Sequence, residues 1–186
     1  MEVDQKKVAS GDVFEQENET LNATSFYVSN TQKWGVSNSG LFMDSSNSTN
    51  IATSQSQIAL TLDLELYLTA RLSPSSLRYY GLGLENGPYT VNLQFAEILI
   101  ENTISEQSLG RRIFYVYVQG QKVLTYFDIA KEAGSSNTTV IRSFNNTNVT
   151  ENFLEIHFFL GRKGNLLYSN PRDLWTINIS YKCYAW

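Results

Sequence analysis

The stretch ELYLTARLSPSSLRYYGLGLENGPYTVNLQFAE, from Glu65 to Glu97, decides how this chain folds. Near its end Tyr89, Val91, Leu93 and Phe95 alternate with Thr90, Asn92, Gln94 and Ala96. A period of two sets one face of a β-strand against a core and leaves the other polar. Before that strand, Gly81, Gly83 and Gly87 imitate a phosphate-binding loop, but the third glycine comes one residue late and a strand follows instead of a helix. No helix N-terminus is then available to hold a phosphate, so the segment reads as a hairpin turn.

The same signal continues outward. Ile113 to Val118 is an unbroken apolar and aromatic run, Gln119-Gly120-Gln121 turns the chain, and Lys122 to Phe127 returns it, with Gly120 supplying the positive φ that a tight hairpin needs. In Phe153 to Leu160, the residues Leu154, Ile156, Phe158 and Leu160 share a face, and Trp175, Ile177, Ile179 and Tyr181 alternate with polar residues near the end of the chain. Helix signals are short: Asp128 to Ala133 predicts one turn, ended by Gly134. Asp44 to Ser56, rich in Ser and Asn, predicts an exposed loop. Many short strands between polar turns predict an all-β fold, an antiparallel β-sandwich or jelly roll with at most short helical turns.

Composition narrows the function classes. A chain of 186 residues, 42% hydrophobic and 17% charged, fits one domain able to bury roughly 70% of its unfolded surface. A net charge of −4 and a pI near 5.0 argue against nucleic acid or an anionic membrane, which call for a basic stripe. No apolar run is long enough to span a bilayer. The opening MEVDQKKVASGDVF has no apolar core of a signal peptide, so none is expected here. Seven N-glycosylation triplets nevertheless begin at Asn18, Asn22, Asn47, Asn137, Asn145, Asn148 and Asn178. They favour a secretory-pathway origin, and the reading that reconciles the two is a piece of a longer ectodomain or a gene model without its first exon. The lone Cys183 offers neither an internal disulfide nor zinc spacing.

Catalysis finds little support. His157, the chain's single histidine, lies beside Glu155 on the polar side of its strand and is expected to face solvent. There is no HExxH, GxSxG or CxxC, nor any VAIK, HRD or DFG kinase signature. No enzyme activity, cofactor or metal is expected.

The 65–97 stretch resembles the malectin domain of plant leucine-rich-repeat receptor-like kinases. That family's pattern runs ELY-x-TAR-x-SP-x-SL-x-YYG-x-x-L-x-NG-x-Y-x-V-x-L-x-FAE, and it is matched here by Tyr67, Thr69, Ala70, Arg71, Tyr79, Tyr80, Gly81, Asn86, Gly87, Phe95, Ala96 and Glu97. Further matching segments are VASGDVFEQEN from Val8, FYVSNTQKWGVSNSGLF, SLGRRIFYVYVQGQKVLTYFDIAKEAG and NVTENFLEIHFF. The resemblance implies a β-sandwich at residues 8–164 after a remnant at 1–7, and extracellular, plasma-membrane ectodomain placement. It implies recognition of an oligosaccharide or cell-wall glycan, or of a peptide or co-receptor. Sugar rings pack their C–H faces on aromatic side chains, which makes Trp34, Tyr67, Tyr79 and Tyr80, with the acid Glu97, the candidate ligand-binding set. Tyr115 and Tyr117 are further aromatics among the chain's 24, most of which are expected to fill core. The animal family member uses aromatics where this chain has Leu72, Leu99 and Ile100, so its disaccharide mode is not expected here.

Residues 165–186 depart from the family. Read one base out of frame from Asn165, permissible codons for this tail spell TCCIPTQGIYGPLISAISVMP, the ending the family carries. A single-base shift near Gly164 or Asn165, or an equivalent gene-model error, is therefore expected, with the new tail filling the place of the closing strand. The alternatives to carbohydrate recognition are a protein-interaction or structural module without a sugar site, and a non-functional truncated gene copy.

Overall fold

The computed structural model describes residues 6–9, 12–15, 21, 24–40, 51–73, 75–99, 113–160, 176–177 and 179–185. In chain order the strands are β1 (Lys6–Ala9), β2 (Asp12–Glu15), β3 (Thr24–Val28), β4 (Trp34–Ser39), β5 (Ile51–Thr53), β6 (Thr69–Leu72), β7 (Ser76–Leu82), β8 (Gly87–Ala96), β9 (Phe114–Val118), β10 (Gln121–Phe127), β11 (Thr139–Val149), β12 (Phe153–Leu160), β13 (Thr176–Ile177) and β14 (Ile179–Ala185). Among the described residues, helical structure is confined to a 3-10 turn, Leu64–Tyr67, and one short helix, α1 (Ile129–Ala133).

A six-stranded antiparallel sheet in the order β10-β9-β12-β7-β4-β3 faces a three-stranded sheet, β11-β8-β14. Between them the inward positions meet. Val36, Leu77, Tyr79, Val116, Leu154, Ile156 and Phe158 from the large sheet pack with Tyr89, Val91, Leu93 and Phe95 of β8. Phe95 lies at the centre, with its ring 4.9 Å from Phe127, 6.1 Å from Phe114 and 6.4 Å from Phe158. The fold is thus the antiparallel β-sandwich that the strand periodicities predict.

Local chemistry accounts for the turns that were predicted. Gln119 and Gly120 adopt φ of 49° and 72° between β9 and β10, the double left-handed geometry of a two-residue hairpin. Asp128 caps α1 by accepting from the Lys131 N–H at 3.1 Å, and Gly134 at φ 85° ends it.

Two expectations are corrected. Gly81–Gly87 is not a hairpin turn, because β7 pairs with β4 and β12 whereas β8 pairs with β11 and β14. The segment carries the chain from one sheet to the other; glycine and asparagine permit the bend without fixing which sheet the next strand joins. Ile51–Thr53, placed in the exposed loop, instead forms β5 and pairs with β6; residues 44–50 of that loop lie outside the described residues. The tail does form strand: β13 pairs with β6 and β14 lies along β8, Ile179 opposite Phe95 through Ala185 opposite Tyr89.

A second, smaller cluster covers part of the outer side of β8. Ile58, Tyr67, Ala70, Ala96 and Ile98 are buried together there, and the Tyr67 hydroxyl donates to Gln94 Oε1 at 2.7 Å. The Gln94 side-chain carbonyl, polar by alternation, therefore has a side-chain donor.

Candidate recognition surface

The outward positions of the large sheet should be polar if that face meets only water. Several are aromatic instead, set among polar and charged neighbours. Cross-strand register sets Lys122, Tyr117, His157, Arg78, Ser37 and Phe26 in one row across β10, β9, β12, β7, β4 and β3. Six strands at ~4.8 Å make that row ~24 Å long. Beside it, Tyr115, Phe159 and Ser76 form a second row.

The two rows are internally packed, yet Phe26 and Phe159 stay exposed. His157 stacks on Tyr117, with centroids 5.7 Å apart and planes 28° from parallel, and the Phe159 ring stands edge-on at 5.9 Å. His157 Nε2 and Ser76 Oγ are hydrogen-bonded at 2.8 Å. The Lys122 ammonium sits 5.2 Å from the Tyr115 centroid and 5.9 Å from that of Tyr117, an attraction of about 0.5–1 kcal/mol at an exposed site. Arg78 and Glu155 form an ion pair at 3.3 Å, and at this exposure it adds little to stability. The expectation that His157 faces solvent is corrected in part: its strand face is the outer one, but its ring is half-buried among these neighbours.

Burial, and then the nearby Arg78 charge, lower the His157 pKa from 6.5 to about 4. The ring is therefore neutral near neutral pH and can both donate and accept. A hydrogen bond to Tyr126, with smaller contributions from burial and from Tyr117, pushes the Tyr115 hydroxyl up to about 12. This face therefore presents the neutral Tyr115 phenol and a neutral imidazole, beside Lys122.

Tyr126 is held there against backbone preference. It sits at φ 52° in an irregularity where the β9–β10 register shifts between Leu124 and Phe127. A bulky side chain seldom adopts that conformation, which costs of order 1–3 kcal/mol and persists where surrounding structure enforces it, often at ligand sites. The bulge turns Tyr126 outward, 48% exposed, with its ring 5.1 Å from Tyr115. Bulges commonly re-aim a side chain in this way.

The five residues chosen from sequence do not come together. Tyr79 points into the core against Phe158, 6.3 Å away, and Tyr67 is sealed under the 3-10 turn on the other sheet; neither is presented for stacking. Glu97 is buried, its Oε1 accepting from the Leu99 N–H at 3.0 Å and its carbonyl from the Asn137 N–H at 2.8 Å, so it shapes the chain after β8. Trp34 pairs with Gly81 at the far end of β4 from Ser39; its indole packs on Tyr27 and donates to Glu15 Oε2 at 2.6 Å. Only Tyr80 reaches the outer aromatic face, where Phe26 meets it edge-on at 5.9 Å. Phe26 leans over Gly35, where an added Cβ would lie 3.6 Å from its ring and 3.0 Å from the Tyr27 carbonyl. Arg71, in the TAR motif, is buried, which lowers its pKa while Tyr79 partly restores it.

Residues that composition alone did not single out, Tyr126, Phe159 and Lys122, belong to this face. Part of the signal was present in FYVYV, where both alternating sets are aromatic or apolar, and in EIHFF, where Phe159 follows His157 on the otherwise polar side.

Comparison with known proteins places this fold in a family. Residues 3–170 match the malectin domain. A probable LRR receptor-like serine/threonine-protein kinase of Arabidopsis thaliana is 51% identical over 162 residues, covering 86% of this chain and 16% of the relative. The chain thus spans about one-sixth of that relative's length, and the extracellular domain of ANXUR1 from the same plant superposes with a TM-score of 0.53 at 13% identity, covering 72% of this chain and 37% of that one. A structure of FER with the plant peptide RALF23 and LLG2 aligns at a TM-score of 0.51 and 18% identity, over 72% of this chain and 31% of that one.

Proposed function

This chain belongs to the malectin domain family, and from that premise we propose that it is a non-catalytic recognition module of a receptor-like kinase ectodomain, working outside the plasma membrane. Its ligand is an oligosaccharide or cell-wall glycan laid across the outer face of the large sheet. The observation that carries the reading is Tyr126, held at φ 52° so that its ring joins Tyr115 in the open. A water-facing strand gains nothing from that strain. Sugar rings would stack on Tyr115, Tyr117 and Phe159, while hydroxyls find Ser76, neutral His157 and Lys122.

Glycan-array screening followed by calorimetry tests the reading. Saturable binding to a gluco-oligosaccharide or wall glycan is expected, weakened about tenfold by Tyr117→Ala, the worth of one good stacking contact. Silence across the array, or binding indifferent to Tyr117, would refute it.

A peptide or co-receptor ligand is the second reading. Edge strand β3 leaves Phe26 61% and Val28 37% exposed, a template for strand addition, and the FER structure contains a peptide and LLG2. Binding would then depend on Phe26 and Val28 and ignore Tyr117.

A further inference from the structure

Three of the sequons lie at residues whose side chains the structure describes, and their surroundings differ. Asn137 is turned into the fold: its Oδ1 is buried without a hydrogen-bond partner, its N–H donates to the Glu97 carbonyl at 2.8 Å, and its carbonyl accepts from the Ala59 N–H at 2.7 Å. Thr139, the hydroxyl residue of that sequon, is buried and donates to the Leu60 carbonyl at 2.9 Å.

Asn145 is the opposite case. It is exposed on β11, an edge strand, with Ser143 on its own face. The β8–β11 register slips between Phe144 and Thr147, and Asn146 sits at φ 57°, so Asn145-Asn146-Thr147 forms an outward bulge. Asn145 Oδ1 accepts from Thr90 Oγ1 at 3.1 Å. That bond fixes the amide with Nδ2, the atom a sugar would be joined to, directed away from Thr90.

We propose that Asn145 carries an N-linked glycan, and that the glycan guards β11 against pairing with another copy's edge. In the transfer Nδ2 bonds to the anomeric carbon of an oligosaccharide donated by a lipid diphosphate; the bond from that carbon to the diphosphate oxygen breaks, the lipid diphosphate leaves, and one amide proton goes to solvent. Long edge strands present unpaired N–H and C=O groups and are usually guarded by lysine, proline, bulges or cover. β11, Thr139–Val149, is 11 residues long, carries no lysine or proline, and exposes Ile141. The Thr139 N–H donates to the Ala59 carbonyl at 3.2 Å, and beyond that residue no strand among the described residues pairs with this edge. A bulge already interrupts it, and a glycan rooted in that bulge completes the protection.

The inference rests on the extracellular part of the reading above but not on the sugar-binding face. The full chain, secreted from plant cells behind a cleavable leader, is digested and its glycans are released enzymatically in heavy-oxygen water, which marks each formerly occupied asparagine. Expected are a marked Asn145 and an unmarked Asn137. An unmarked Asn145 in secreted protein overturns the proposal, whatever the glycan array reports. The guarding role is read by sedimentation before and after deglycosylating the folded wild-type protein, so no variant need fold. Self-association should rise at least several-fold after trimming, and an unchanged monomer overturns that half.

Discussion

Acidification tests the packing of the recognition face through one side chain, because His157 is the chain's only histidine. Unfolded, its imidazole takes a proton near 6.5; folded, burial beside Tyr117 and the Arg78 charge hold it back until about 4. Between those values the unfolded chain binds more protons, so stability falls as the pH drops through the window and levels off below about 4. Above 6.5 both states are neutral and the group contributes nothing to the pH dependence. The full difference would convert to ~3 kcal/mol at ~1.36 kcal/mol per pH unit, and partial solvent access reduces this to ~1–2 kcal/mol. Urea denaturation across the window, wild type against His157→Gln, measures it. The glutamine keeps a polar partner for Ser76 but takes no proton, so the wild type should lose that ~1–2 kcal/mol relative to the variant. The ring's NMR titration gives the midpoint without assignment. A midpoint near 6.5, or parallel stability curves for the two proteins, would refute the account of a packed neutral imidazole.

Two further outcomes follow from the core and from a turn. Phe95→Ala removes the ring that touches Phe114, Phe127 and Phe158 and should cost ~3–5 kcal/mol in chemical denaturation; a loss under ~1 kcal/mol would mean that the two sheets do not meet there. Gly120→Ala should cost roughly 1 kcal/mol; no atom lies within 4 Å of the added Cβ, so the loss comes from the positive φ of 72°, and D-alanine, for which that φ is relaxed, should cost less. Equal losses from both would show that space, not φ, constrains the turn.

Much of the scaffold was legible because local rules and tertiary structure agree. Tyr89, Val91, Leu93 and Phe95 all face inward, as a period of two requires, and Asp128 and Gly134 bound α1. The Gly81–Gly87 connection was misread because turn chemistry is local whereas sheet membership is decided by distant strands. The site was obscured for a related reason. Tyr79 and Tyr80 are adjacent in a family motif, yet the pleat sends one into the core and the other outward. In Phe114–Val118 both faces are apolar or aromatic, and only the packing of the two sheets reveals that Phe114, Val116 and Val118 are the buried set while Tyr115 and Tyr117 are half-buried.

The pairing of β8 with β14 also sets a timetable. Phe95 opposes Ile179, and chains are made at ~5–20 residues per second. The 84 residues between these positions (179 − 95) therefore take ~4–17 s to appear. Through that interval β8 can pair only with β11, which is made sooner, and its second edge stays open while synthesis continues. Sandwich closure is thus a late event in the life of the chain, and conditions that slow translation downstream of β12 lengthen the period in which the half-built sheet needs a chaperone.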